Sequence, residues 1–355
     1  MEDDTKSRVS SPRVLALFQK RIEGDDALLR LAGLRFRQAG LCPEFHAETP
    51  EELEWAMGFR PSAHAPAAAH LSRRIDLFKE GDRRLILDFA ERFAGRLFGL
   101  VVHDQLDFAD RFEEATAVLR EMDSRLGEVP EGPVLFLEYA SGLPPELYVY
   151  LFESMRELTH VSSCVDTGHI GLWQARNVYY QMHPGKDVCS LKPDDPELPA
   201  VAGDIQHAVG SALDAVLRVV QPLGRLGKPL HFHLHDGHPI WSSSPFGLSD
   251  HLSFLTEVPI PFPYRGKESL PPMFGPFGLF RIVTEALELL RPDQVSFSLE
   301  IHPTEGMLAL GDASHLFQHW KDKGNAERMN FWLSVLRENG VLVSGICREV
   351  MSDEG

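Results

Sequence analysis

The chain has 355 residues, 43% of them hydrophobic, 25% charged and 9% aromatic, which is close to the globular average and excludes a fibrous or disordered protein. Lys and Arg number 35 against 52 Asp and Glu, and the formal charge of −17 argues against nucleic acid or an anionic membrane surface as a partner and for a small-molecule substrate. Four cysteines without paired spacing exclude a disulfide scaffold or thiolate zinc site, and with no targeting run or apolar span of ~18 residues the expected location is cytoplasmic.

Residues 1–30 read as an N-terminal extension or helix. Apolar runs at 41–46 and 59–64 predict two strands, followed by a helical period over 83–98 and a clear strand at 99–103, GLVVH. The alternation continues with a helix over 113–126, a strand at 133–138, a helix over 145–158 and a strand at 161–166. After the loop 173–199, which contains PDDPELP, come a helix over 203–220 and a strand at 229–233. The segment 242–276 is rich in Pro, Gly, Ser and aromatics, with one further strand expected within 254–262. A helix over 279–290, a strand at 295–300 and C-terminal helices within 304–355 complete the chain. An apolar stripe at 317–336 suits barrel packing or, if exposed, a homo-oligomer interface.

Eight strands with helices between most of them predict an α/β fold, a single (β/α)8 TIM barrel over 1–355 with long loops on its C-terminal face. His64, His103, Glu138 and Asp166 follow one another at 39, 35 and 28 residues, each compatible with one βα unit. In this fold the loops after the strands build the active site, so 173–199 and 242–276 are candidate lids, with Trp173, Trp241, Phe246, Phe262, Tyr264, Phe274 and Phe277 in or beside them.

Each of His64, His103, Glu138, Asp166, His233 and Glu300 ends a predicted strand. Imidazoles and carboxylates delivered from several strands to one face are the ligand types of zinc, manganese, iron, magnesium and cobalt. One divalent ion is expected and a second is compatible with the number of groups. In Cys164-Val165-Asp166-Thr167-Gly168-His169 an imidazole follows the strand-end acid, and in His231-Phe232-His233-Leu234-His235-Asp236 three histidines share one strand face. Glu44 and His46 lie on an early strand, and His302 lies two residues beyond Glu300.

This set is similar to the xylose-isomerase-like TIM-barrel superfamily, which includes sugar isomerases and epimerases, endonuclease IV and multinuclear iron oxidative enzymes. The resemblance implies a metal held by Glu138, Asp166, His233 and Glu300, with Glu138 and Glu300 moving protons. The multinuclear members add histidines that correspond to His64, His103 and His169. They also use an Asp-x-His pair after the seventh strand, from which this sequence departs: Asp250 and His251 are adjacent, and Asp236 with His238 lies close to His233.

Two enzymatic readings follow, and a non-enzymatic scaffold is a third. The first is an isomerase or epimerase of a polyhydroxylated carbonyl compound through a metal-bound enediolate. The second is a multi-metal enzyme, either a phosphoesterase similar to endonuclease IV or an iron-dependent oxidase, favoured by His64, His103 and His169.

Overall fold

The computed structural model describes residues 11–18, 26–72, 74–105, 107–140, 143–191, 195–240, 249–255, 272–301 and 326–353. Among them, β1 (Arg13–Phe18), β2 (Cys42–Ala47), β3 (Ala68–Leu71), β4 (Gly99–His103), β5 (Val134–Glu138), β6 (Val161–Asp166), β7 (Leu230–Leu234) and β10 (Val295–Leu299) pair in parallel and close into a barrel. The order around it is β1-β10-β7-β6-β5-β4-β3-β2. Two short strands, β8 (Asp236–His238) and β9 (Ser249–Leu252), form a separate antiparallel pair beyond the end of β7. The predicted (β/α)8 barrel is therefore the fold.

Alternation along the strands decides what fills the barrel and what covers it. In β7, Leu230, Phe232 and Leu234 point outward into the layer shared with the helices, and Val295, Phe297 and Leu299 do the same in β10. Fully burying side chains of this kind contributes roughly 1.5–3 kcal/mol each. The intervening His231 and His233 pair in register with Ser296 and Ser298 and face the interior. A small apolar plug of Val101, Phe136 and Cys164, with Phe98 and Val134 against it, fills part of the interior.

The helices follow the βα pattern, with an addition between β6 and β7. There α6 (Thr167–Met182), α7 (Leu198–Gly210) and α8 (Ala212–Gly224) stand where one helix is the rule, and α6 packs on both of the others. The expected lid 173–199 is thus helical at both ends: Trp173 sits within α6, and Cys189 lies in a short 3-10 turn. The apolar periodicity of TGHIGLWQARNVYYQM continues through Trp173, which is why the chain does not leave the helix there.

Three other expectations are corrected. Residues 1–30 contain a barrel strand, β1, paired with β2 and β10. The strand expected at 59–64 lies instead at Ala68–Leu71, since 59–64 carries a 3-10 turn and bends whereas Ala68 to Leu71 are fully buried between β2 and β4. Phe254 lies in a turn, and the rest of the strand expected within 254–262 falls outside the described residues apart from Leu255. Most of the second expected lid, with Trp241, Phe246, Phe262 and Tyr264, is outside them as well, as are residues 304–325. Of the C-terminal helices, α10 (Ala326–Asp353) is described, and its Trp332 donates from the indole N–H to the Ile301 carbonyl at 3.0 Å. No helix among the described residues is long and apolar enough to cross a membrane.

Candidate metal centre

Six strand ends bring carboxylates and imidazoles to the C-terminal mouth of the barrel. Ligand atoms of Glu138, Asp166, His233 and Glu300, from β5, β6, β7 and the residue after β10, all lie within 4.8 Å of one another, and all four side chains are buried. A second group joins it: His70 at the end of β3, His103 at the end of β4, and again Glu138. Glu138 Oε2 is 3.1 Å from His70 Nε2 and 3.3 Å from His103 Nε2, while Glu138 Oε1 is 3.4 Å from His233 Nδ1. His233 Nδ1 is also 2.9 Å from Glu300 Oε2.

Among the described residues, neither Glu138 Oε2 nor His233 Nδ1 has a well-aligned hydrogen-bond partner, although each is buried and surrounded by polar atoms. Metal–ligand bonds of about 2.1 Å correspond to ligand–ligand separations of about 3.0–3.4 Å along the edges of an octahedron or tetrahedron. The distances around Glu138 fall in that range. The residues fit a metal centre.

Behind this cluster, Glu44 fixes the orientation of His233. Its Oε1 accepts from His233 Nε2 at 2.9 Å and its Oε2 from His231 Nε2 at 2.9 Å, while His231 Nδ1 meets Ser296 Oγ at 2.7 Å. With Nε2–H committed to Glu44, the Nδ1 lone pair of His233 is left for the mouth, the carboxylate–histidine arrangement that raises ligand basicity. The sequence places Glu44 on an early strand; the structure shows it holding two imidazoles of β7 at once.

Asp166 is steadied from two sides. Its Oδ1 accepts the backbone N–H of His169 at 2.7 Å, capping α6, and His235 Nε2 lies 3.0 and 3.1 Å from its two oxygens. The His235 Nδ1 accepts the His251 backbone N–H at 2.8 Å, so Nε2 carries the proton and donates to Asp166. Gly168 makes this possible: a Cβ there would stand 2.0 Å from His235 Cε1. His169, His235 and His251 form a third buried group, with His235 and His251 stacked at 4.2 Å between ring centroids. His251 reaches it on a left-handed backbone, φ 61°, an unusual geometry for a histidine, and its Nε2 lies 3.4 Å from Glu300 Oε1.

Charge balance points the same way as the geometry. Burial by itself pushes the Glu138 carboxyl up, but His103, His233 and His70 hold it well below the usual range; His233 and His251 do the same for buried Glu300. Burial likewise opposes ionisation of Glu44 and Asp166, whose imidazole partners bring both below the ordinary value. Burial would make His233 neutral, yet Cys164, Glu44, Glu138 and Glu300 raise its pKa well above that of a free imidazole. No lysine or arginine among the described residues pairs with Glu44, Glu138 or Asp166. Such a set of buried anions needs cations, and imidazolium ions or divalent metals are the candidates at hand.

Of the predicted strand-end residues, His103, Glu138, Asp166, His233 and Glu300 are brought together, and His169 and His251 lie beside them. His64 is not: it is exposed in a turn before β3, at the far end of that strand, and His70 stands where it was expected. Asp236 also faces elsewhere, because its carboxylate accepts the backbone N–H groups of Gly237, Phe274 and Gly275 at 2.7, 3.2 and 2.7 Å and so holds the start of α9 (Gly275–Leu289). His238 is buried with its Nδ1 3.3 Å from the Ile240 N–H. The backbone of Asp250 belongs to β9, while its side chain and the whole of His302 lie outside the described residues. His70 and His235 were missed as site residues. The repeated Ala before His70 hid its strand, and Gly168 was the one sign that something must pack closely on α6.

No family model matches the chain, and no curated protein does. Among solved structures it is similar to a thermostable mutant of a xylanase, Xyn10A, from Cellvibrio japonicus, at 12% identity and a TM-score of 0.43, over 82% of this chain and 86% of that one.

Proposed function

We propose that the chain is a metal-dependent hydrolase of a small phosphate ester, with two divalent ions sharing Glu138 at the mouth of the barrel. The observation that carries this reading is that Glu138 belongs to both ligand groups, with His70 and His103 on one side and Asp166, His233 and Glu300 on the other. The first set is rich in nitrogen and includes His103, whose side chain is 26% exposed; the second is rich in oxygen and sealed. A pair of divalent ions in such a site lowers the pKa of a bound water and offsets the charge of a phosphoryl group.

The chain's own residues prepare that chemistry. Glu44 keeps the Nε2 proton of His233 away from the mouth, and His235 keeps a proton directed at Asp166, so each presents a fixed face. The two ligand groups contain three carboxylates, Glu138, Asp166 and Glu300, so two divalent cations there would leave a positive excess for an anionic substrate despite the overall −17. Access is from the side of His103, the exposed member of the set.

The isomerase reading loses support at Glu138. A carboxylate shared by two ligand groups is not free to carry protons to and from carbon, so Glu300 alone is left for that task. An oxidase reading draws on the two-histidine, one-carboxylate set of His70, His103 and Glu138, which also suits iron(II).

Elemental analysis with activity assays tests the proposal. The purified protein should carry about two equivalents of zinc, manganese or another divalent ion and hydrolyse 4-nitrophenyl phosphate. His103→Ala should lose one equivalent and lower kcat at least 100-fold, with the fold intact by circular dichroism. A single equivalent unchanged in His103→Ala overturns the shared-carboxylate reading. Iron content with oxygen consumption and no hydrolysis transfers the site to oxidation.

A further inference from the structure

Beside the metal cluster, between the C-terminal ends of β1 and β2, lies a cavity of about 370 Å³. Phe18, the last residue of β1, and Ala56 line it with Leu29, and Trp55 forms one wall. His46 of β2 also lines it, and its ring centroid is 5.6 Å from that of His70, so the cavity and the metal cluster are neighbours through one imidazole pair.

Trp55 is 40% exposed, yet it is held in place on two sides. Phe59 meets it edge-on at 4.8 Å and 88°, and the Arg30 guanidinium stands over it at 5.9 Å. A fixed, exposed indole at the mouth of a barrel is an aromatic platform rather than a core residue. The acids of this region are occupied elsewhere: Glu51 pairs with Arg92, and Glu52 accepts the Glu48 N–H at 3.0 Å. With Arg30 they line the cavity as its charged members, two acids against one base, so an anionic group is better placed at the neighbouring metal cluster.

We infer that this cavity is the subsite for the planar, apolar part of the substrate, so that the proposed hydrolase acts on aryl rather than alkyl phosphate esters. The inference rests on the hydrolase reading for the reacting end and on Phe18, Leu29 and Trp55 for the other. An apolar cavity of about 150 Å³ accommodates benzene, so a cavity of about 370 Å³ has room for a bicyclic group. The substrate then spans both regions, phosphoryl group at the ions and ring against the Trp55 face.

The test compares 1-naphthyl phosphate with methyl phosphate on the full-length, metal-loaded protein. The wild type should favour the naphthyl ester in kcat/KM, and Trp55→Ala should lower kcat/KM for it 10- to 100-fold, mostly through KM, while methyl phosphate turnover stays unchanged. Trp55→Leu keeps an apolar contact on Phe59 and serves if the alanine variant does not fold. Equal loss for both esters, or no loss for either, overturns the subsite. If neither ester is hydrolysed, the hydrolase reading has failed, and equilibrium binding of the same two probes still decides the subsite. Tighter binding of the naphthyl ester that disappears in Trp55→Leu supports it, and equal binding by the wild type overturns it.

Discussion

At the N-terminal end of the barrel, Asp123 of α4 (Phe112–Gly127) accepts the backbone N–H groups of Thr159, His160 and Val161 on one oxygen, at 2.9, 2.6 and 3.0 Å. Lys228 donates there to the Met155 carbonyl at 3.3 Å. At the C-terminal end, Glu138 faces three imidazoles at 3.1–3.4 Å, and among the described residues its Oε2 has no well-aligned hydrogen-bond partner. Both ends contain buried or half-buried polar groups, but Asp123 and Lys228 at the lower end find their partners in the protein's own backbone, whereas Glu138 Oε2 at the upper end does not. A polar group whose partners are complete secures the fold, whereas one whose neighbours converge without bonding is arranged for something added.

If this contrast is right, changes at the two ends should separate metal binding from stability. The largest effect is expected from Glu44→Gln. An amide cannot accept from both His231 and His233 as the carboxylate does, so metal affinity should fall about 10- to 100-fold, the usual cost of losing such a supporting group. Competition with a chelator measures this, and unchanged affinity would remove Glu44 from the site. At the other end, Asp123→Ala leaves three strand-entry N–H groups without their acceptor and should cost about 1–3 kcal/mol in urea unfolding. Metal content should not change; a loss of metal in that variant would break the division between the two ends.

The smallest effect concerns Lys228. Burial pushes its ammonium from 10.5 down to about 8, with Asp123 pulling it partly back. Between these values the unfolded chain still holds a proton that the folded protein has released, so stability from this group rises with pH across the window and is lowest below about pH 8. Lys228→Met should flatten that rise when unfolding is compared at pH 7.5 and pH 10. An unaltered slope would show that Lys228 is solvated in the folded state.

The upper end also contains both kinds of polar group within a few residues. Asp236 is occupied by three backbone N–H groups and serves the start of α9, while His235, the preceding residue, turns to Asp166. Sequence distance from His233 treats the two alike. Only the path of the chain into β8 separates them.

Periodicity was enough to identify β4, β5, β6, β7 and β10: β7 and β10 alternate large apolar outward side chains with inward polar ones, and β4, β5 and β6 are short buried runs that end in an imidazole or a carboxylate. From those strands the barrel follows, and with it the meeting of His103, Glu138, Asp166, His233 and Glu300, since parallel strands of one barrel must bring their C-terminal ends to one face. The strand β3 was beyond such reasoning: AAHL has little β propensity of its own and is a strand because β2 and β4 flank it, so His70 could not be told from His64 by pattern. The VLALF run of β1 is equally ambiguous between strand and helix until β10 closes on it. Residue type and alternation are local properties and the sequence carries them outright. Which nitrogen of His233 faces the mouth, which acid holds it, and that His251 comes round on a left-handed turn to stack on His235 are set by contacts between residues far apart in the chain, and only the closed barrel supplies those contacts.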